Sequence, residues 1–501
     1  PRGFGLLGPM YAGAILLCLL GVIGIYFRNN PLRHSRWFLI RRFINWFPLG
    51  MTYAFLYMAR YNLTVSKNAL GTLMSKEDFG VIALCGTVTY GCSFVINGPL
   101  VDKIGGKKGI LISAFGAAAA NAILGLLTYL ELTGRLRVRL VTAFSIVYAL
   151  NMYFQSYGAV SIIKIKAYWF HVRERGVFGA IFGSLISIGI YFAFDWGPAL
   201  ARLAQAAPAP GWGHRLVRWA FASSAHPEVD AVWTVFLFPA VVLLGWFLIN
   251  LWLIKDTPEE AGFPFFDVAD ASSGHMDEEY TLWQLLKKVF TSRLMMLFGL
   301  VELTSGVCRD GIQQWYFIFS AEVNQPSAAF FRDEWGWLLC VFGIVGGFSA
   351  GLASDKLFQS RRGPPVALCC GLVLAAAAVM WATLYASPPV AAAMGILIVM
   401  CAIGITSLMS GTAAADFGGR KATATCMGIV DGFVYLGSGL QAICISHIAS
   451  WNWRYWPLFF IPFALLGGAI ALRIWNELPA ATKKYIEEVE NKRLAPPAPI
   501  G

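Results

Sequence analysis

The chain has 501 residues, of which 57% are hydrophobic, 15% aromatic and only 13% charged, with a formal net charge of +11. Soluble globular chains carry about 25% charged residues, so half that share excludes a water-soluble enzyme as the bulk of the molecule. The positive balance does not point to nucleic acid, because the basic residues sit between long apolar runs, where they orient a chain in a bilayer.

The first apolar run, about residues 6–27, is too long for the roughly 7–15-residue core of a signal peptide. Arg28, Arg33, Arg36, Arg41 and Arg42 follow it. It is expected to form an extra N-terminal membrane helix with its basic flank in the cytoplasm. A spanning helix needs roughly 20 apolar residues. Further runs of that size occupy 44–66, 79–101, 109–130, 140–163, 176–196 and 232–254, then 293–319, 335–353, 366–386, 390–410, 425–447 and 457–477. Alternating the loops from a cytoplasmic 28–42 puts most of the 39 basic residues inside, with Arg135, Arg137 and Arg139 on the outer side. The implied organisation is an N-terminal segment 1–42, a six-helix bundle 43–254, a cytoplasmic linker 255–291, a second bundle 292–478 and a tail 479–501.

The ten cysteines, Cys85, Cys92, Cys340 and Cys426 among them, are scattered through the apolar runs without metal-ligand or disulfide spacing. No metal, cofactor or catalytic residue is expected, and no nucleophile or phosphate-cradling loop supports an enzyme.

The two halves echo each other. The segment with Gly98, Asp102, Lys103, Gly105, Gly106, Lys107 and Lys108 joins the second and third runs. The segment with Gly351, Asp355, Lys356, Arg361, Arg362 and Gly363 joins the eighth and ninth. Asp102 and Asp355 are 253 positions apart, and two arginines within apolar runs, Arg60 and Arg309, are 249 apart. An arginine in a span is costly unless it meets a partner or a polar cavity. Repeat symmetry would bring both to one central site, where guanidinium matches phosphate oxygens two at a time. Tyr53, Tyr57 and Arg60 share one helical face. Glu302, Asp310 and Asp431 are further charges inside spans and candidate coupling acids.

The glycine–aspartate–basic loop resembles the loop signature of the major facilitator superfamily. Residues 38–478 are more narrowly similar to the organophosphate:inorganic phosphate antiporters, which include bacterial glycerol-3-phosphate carriers. The resemblance rests on Tyr53, Tyr57, Arg60 and Asn62, and on Gln155 with Trp169, Phe170, Glu174, Arg175 and Gly176. Arg309 with the Asp355 loop, and Asp416, Phe417, Arg420, Lys421 and Tyr435, complete it. It implies an all-α membrane protein of major facilitator fold, two pseudo-symmetric six-helix bundles plus the extra N-terminal helix, in the cell (inner) membrane as a monomer. It implies substrate binding by Arg60, Arg309, Tyr53, Tyr57, Tyr90 and Tyr435, with Lys164 able to restore one positive charge. Conformational switching falls to Gly98, Asp102, Lys103, Gly105, Lys107, Asp355, Lys356, Glu174 and Arg175.

Three positions depart from the family. Ile186 stands at its fifth-span histidine, Phe94 at its second-span lysine, and Tyr61 at the basic residue beside the first arginine. The expected activity is exchange of a small organophosphate, such as glycerol 3-phosphate or a sugar phosphate, for inorganic phosphate, with the bilayer as the other partner and no nucleic acid. Proton-coupled symport of an organic anion and a transporter-like phosphosugar sensor remain as alternatives.

Overall fold

The first spanning helix is set by its ends. Ser35 Oγ accepts the Phe38 N–H, and Gly71, at φ +53°, closes the last turn, so the helix runs Arg36–Leu70. It begins well before the apolar run at 44–66, because a cap rather than hydropathy decides where a helix starts. Arg41 and Arg42 therefore belong to the helix, not to the expected loop.

The computed structural model describes residues 19–28, 30, 32–171, 174–200, 231–265, 282–358 and 361–477. Its regular elements are all helical. Span 1, Arg36–Leu70, is followed by span 2 Lys76–Ile104, span 3 Gly106–Leu132, span 4 Leu140–Trp169 and span 5 Arg175–Tyr191. Span 5 continues as a wider turn over Phe192–Trp196, and Thr234–Leu253 is span 6. Span 7 is Arg293–Gln313, span 8 Trp335–Leu352, span 9 Gly363–Thr383, span 10 Pro388–Ser410, span 11 Gly428–Trp451 and span 12 Phe460–Arg473. Helical bonding is continuous from Pro388 to Trp451, yet spans 10 and 11 lie side by side, since Ser410 Oγ donates to Asp431. In a straight helix those residues would be about 31 Å apart.

Among the described residues, nine helices are long and apolar enough to cross a membrane. Spans 1, 4 and 7 fall outside that group, although each has the length to cross. They hold polar side chains inward: Arg60 and Asn62, Asn151 and Gln155, Glu302 and Asp310 are all buried. Their low hydropathy marks the helices that surround the centre.

Spans 1–6 pack on one another, as do spans 7–12, and the two groups meet through spans 2 and 11 and through spans 5 and 8. At the first interface the backbones cross so closely that a Cβ on Gly91 would press on the Gly432 carbonyl, and one on Gly432 on that of Gly91. Only glycine permits that approach.

The N-terminal helix is described over Leu19–Arg28. Tyr26, 2% exposed, fixes it to the first group: its hydroxyl donates to the Leu39 carbonyl at 2.9 Å and accepts from Arg42 Nε at 2.9 Å. The expected helix over residues 6–18, the middle of the linker and the tail beyond 477 lie outside the described residues.

Candidate substrate site

Arg60 sits on span 1, 3% exposed. Its Nε donates to Gln155 Oε1 on span 4 at 3.2 Å, and its Nη1 donates to the Tyr435 hydroxyl on span 11 at 2.8 Å. Its guanidinium carbon lies 4.6 Å from the Tyr57 ring centre, 4.3 Å from Tyr90 and 5.3 Å from Tyr435. Aromatic faces carry negative quadrupole charge and stabilise a cation removed from water. Arg60 Nη2 is buried and has no hydrogen-bond partner, an arrangement that normally costs stability.

Arg309, on span 7, approaches the same ring, with its guanidinium carbon 5.8 Å from the Tyr435 centre. Its Nε donates to Asp310 Oδ1 at 3.1 Å. Tyr61 of span 1 donates to that same oxygen at 3.3 Å. The two arginines thus flank one tyrosine, one from each half. Tyr53 packs edge-on against Tyr57 at 5.3 Å, completing the wall on span 1. Phe94 contacts both Tyr90 and Tyr435 and makes the neighbouring surface apolar.

From Arg60 toward the outer end, a ladder of hydrogen bonds joins span 1 to span 7 and to the short helix Trp315–Val323 that follows it. Tyr61 to Asp310 is followed by Thr64 Oγ1 to Gln314 Oε1 at 3.2 Å and Asn68 Nδ2 to the Phe317 carbonyl at 3.1 Å. Lys76, at the head of span 2, pairs with Glu322 at 2.8 Å, donates to the Ala449 carbonyl at 3.0 Å and lies 4.8 Å from the Trp453 ring. The halves are latched on their outer side.

Not every expected site residue gathers here. Lys164 does not: its Nζ pairs with Asp102 at 2.9 Å, near the inner end of span 4. It lies nine residues beyond Gln155, about 14 Å along the helix, and so sits at the inner loop, away from the arginine layer. Gly105, at φ +92°, ends span 2, and, two residues on, the Lys107 N–H donates to Asp256 Oδ1 at 2.7 Å. Burial raises the Asp256 carboxyl above its ordinary value, opposed by that backbone bond. Gly98 is buried in span 2, while Lys103 and Lys356 are exposed. The side chains of Arg175, Asp355, Asp416, Phe417, Arg420 and Lys421 lie outside the described residues.

Glu174, in the inner loop between spans 4 and 5, is held by a fork from Arg42 at 2.9 and 3.0 Å and by His34 at 3.3 Å. Burial alone would raise its carboxyl, but the His34 and Arg42 bonds outweigh it and bring it down to about 2. Glu302 accepts from Thr406 at 3.0 Å.

Two residues at the centre have roles that the sequence did not assign. Gln155 appears in the sequence only as part of a family pattern, yet it orients Arg60. Ser410 holds Asp431. A glutamine or serine within an apolar run is the available signal, weaker than that of an arginine because it is cheaper to bury.

The sequence matches the Major Facilitator Superfamily over residues 43–442. It is 23% identical to the Membrane sensor protein UhpC of Escherichia coli (strain K12), over 91% of this chain and 98% of that one. It is 24% identical to the Glycerol-3-phosphate transporter of Bacillus subtilis (strain 168), over 80% and 85% of the two chains. It is 25% identical to the Phosphoglycerate transporter protein of Salmonella typhimurium, over 63% and 64%. In fold it is similar to a bacterial homolog of the human lysosomal transporter Spinster, with a TM-score of 0.65 at 14% identity over 91% of this chain and 99% of that one. The helical architecture and the match along most of the sequence agree: the chain is a multi-pass membrane protein that belongs to the major facilitator superfamily.

Proposed function

We propose that this protein exchanges a small phosphate ester for inorganic phosphate by alternating access, with the phosphate held between Arg60 and Arg309. The observation that carries the reading is the unpaired, buried Nη2 of Arg60 beside a second arginine on the same tyrosine ring. Asp310 answers Arg309, which leaves Arg60 as the buried cation without an anion, and tetrahedral phosphate presents oxygens to both forks. The relatives named for glycerol-3-phosphate and phosphoglycerate transport support the same substrate class.

In this reading the bundles 43–254 and 292–478 rock about the arginine layer, with 255–291 as the linker between them. Separation of the outer ladder from Tyr61–Asp310 to Lys76–Glu322 opens the outer path. The Asp102–Lys164 pair and the Asp256 contact at Gly105 rearrange on the inner side. The experiment is uptake of labelled phosphate into proteoliposomes loaded with phosphate or phosphate ester.

A second reading, ligand sensing, is favoured by the sensor relative and by the N-terminal helix clamped through Tyr26 to Arg42. Ester binding with no exchange would select it.

A further inference from the structure

A second polar layer lies inward of the arginines, built by spans 7, 10 and 11. Asp431 precedes Tyr435 by one helical turn, about 6 Å, and Glu302 precedes Arg309 by two, about 10 Å. Each acid therefore shares a helix face with a member of the arginine layer. Thr406 and Ser410, one turn apart on span 10, donate to Glu302 Oε2 and to Asp431 respectively.

Two features separate this layer from ordinary helix packing. Glu302 is fully buried, yet its Oε1 has no hydrogen-bond partner, while Asp431 is partly exposed. Such a buried acceptor calls for a donor. The charge balance is the other feature. Arg60 and Arg309 stand against Asp310, Glu302 and Asp431, two cations against three groups that are negative when ionised, so the two layers together carry no large positive excess. A site for a plain dianion would carry excess positive charge, whereas this one sets its cations outward with Asp310 and two further acids inward, with a span of about 6–10 Å between them.

We propose that the preferred ligand is a phosphate monoester bearing an ammonium group at its far end. Its phosphate lies at Arg60 and Arg309, and its ammonium lies at Asp431 with the unpaired Glu302 oxygen as second acceptor. An ammonium supplies three donors and no acceptor, which suits a layer made of carboxylates already served by hydroxyls. The ligand's own cation supplies the positive charge that Asp310 removes from Arg309. Asp431 becomes the specificity-determining residue, reading the end of the molecule that the arginines do not. This inference rests on the assignment of the arginine layer to phosphate.

The test compares esters built on one hexose 6-phosphate frame on the purified full chain by isothermal titration calorimetry. Glucosamine 6-phosphate carries the ammonium, glucose 6-phosphate replaces it with hydroxyl, and N-acetylglucosamine 6-phosphate removes its charge. The wild type should bind the amine ester at least about tenfold more tightly than either of the others, about 1.4 kcal/mol. Asp431→Asn, with Glu302→Gln as a second variant, should bring the ratio of amine to neutral ester to within about threefold of one. Equal or weaker binding of the amine ester by the wild type overturns the inference and leaves the phosphate reading standing. The same holds if Asp431→Asn weakens all three esters alike. If no ester binds the wild type, the phosphate reading falls and takes the inference with it. Should the variants fail to fold, the wild-type comparison of the three esters still decides.

Discussion

Arg60 Nη1 donates to the hydroxyl of Tyr435 at 2.8 Å, a bond that ties span 1 to span 11 across the two halves. Because Arg309 lies over the same ring, one tyrosine from the second half orders both arginines. Tyr435→Phe keeps the ring and removes the bond. A hydrogen bond contributes about 0.5–1.5 kcal/mol net, so phosphate-ester binding should weaken by about threefold to tenfold. Tyr435→Ala should cost more, because both arginines lose an aromatic face. Equal affinities for wild type and Tyr435→Phe would show that the bond does not order the site.

The pair of Lys164 with Asp102 belongs to the inner loop. Both side chains are partly exposed, and such pairs contribute about 0–1 kcal/mol to stability. Asp102→Asn and Lys164→Met should therefore leave thermal stability and ester affinity nearly unchanged while slowing exchange. A loss of equilibrium affinity with Lys164→Met would return that lysine to the substrate layer.

Glu174 is the clearest stabilising acid outside the membrane spans. Its carboxyl is held at about 2 against an ordinary 4.5. A lowered folded-state value gives stability that is complete above about pH 4.5 and lost as pH falls toward 2. Breaking a buried ion pair by removing one partner costs about 3–5 kcal/mol. Glu174→Gln should therefore lower the melting temperature at pH 7, and its gap from wild type should narrow in the acid range. A gap independent of pH would mean that charge is not what holds the loop to Arg42 and Tyr26.

On the outer side, Lys76 joins Glu322, the Ala449 carbonyl and the Trp453 ring. Lys76→Ala removes all three contacts and should favour the outward-open state. A shift of about 1 kcal/mol changes the population ratio about fivefold. In a cysteine-free background carrying Thr64→Cys, labelling by a membrane-impermeant thiol reagent should accelerate by about that factor. An unchanged rate would show that the Tyr61–Asp310 and Asn68–Phe317 bonds suffice to keep this side closed.

The arginine layer was legible because a permanent charge in an apolar run has few structural uses, and repetition at Arg60 and Arg309 reduces them further. The spans were legible for a similar reason, since each must expose an apolar surface to lipid. Spans 1, 4 and 7 are weakly apolar, yet breakers and flanking charges still marked them. Partners far apart in sequence were not legible. Lys164 was read as a substrate ligand because nothing local shows that Asp102, on a different helix, reaches it. Arg42 looked like one more positive residue of an inner loop, but Ser35 starts the helix early enough to bury it against Tyr26 and Glu174. Apolar pattern fixes which residues avoid water, whereas pairing depends on helix rotation and register that the pattern leaves free.

The most direct test is labelled-phosphate exchange in proteoliposomes, comparing wild type with Arg60→Lys and Arg309→Lys. Lysine keeps the charge but loses the planar fork. With one charge-assisted hydrogen bond contributing about 1.5–3 kcal/mol, each variant should lose at least about tenfold in exchange while inserting and folding normally. Rapid phosphate-driven exchange by the wild type and its collapse in both variants are the expected results. Wild-type rates in either lysine variant would contradict it. So would a wild type that exchanges no phosphate but moves an organic anion down a pH gradient.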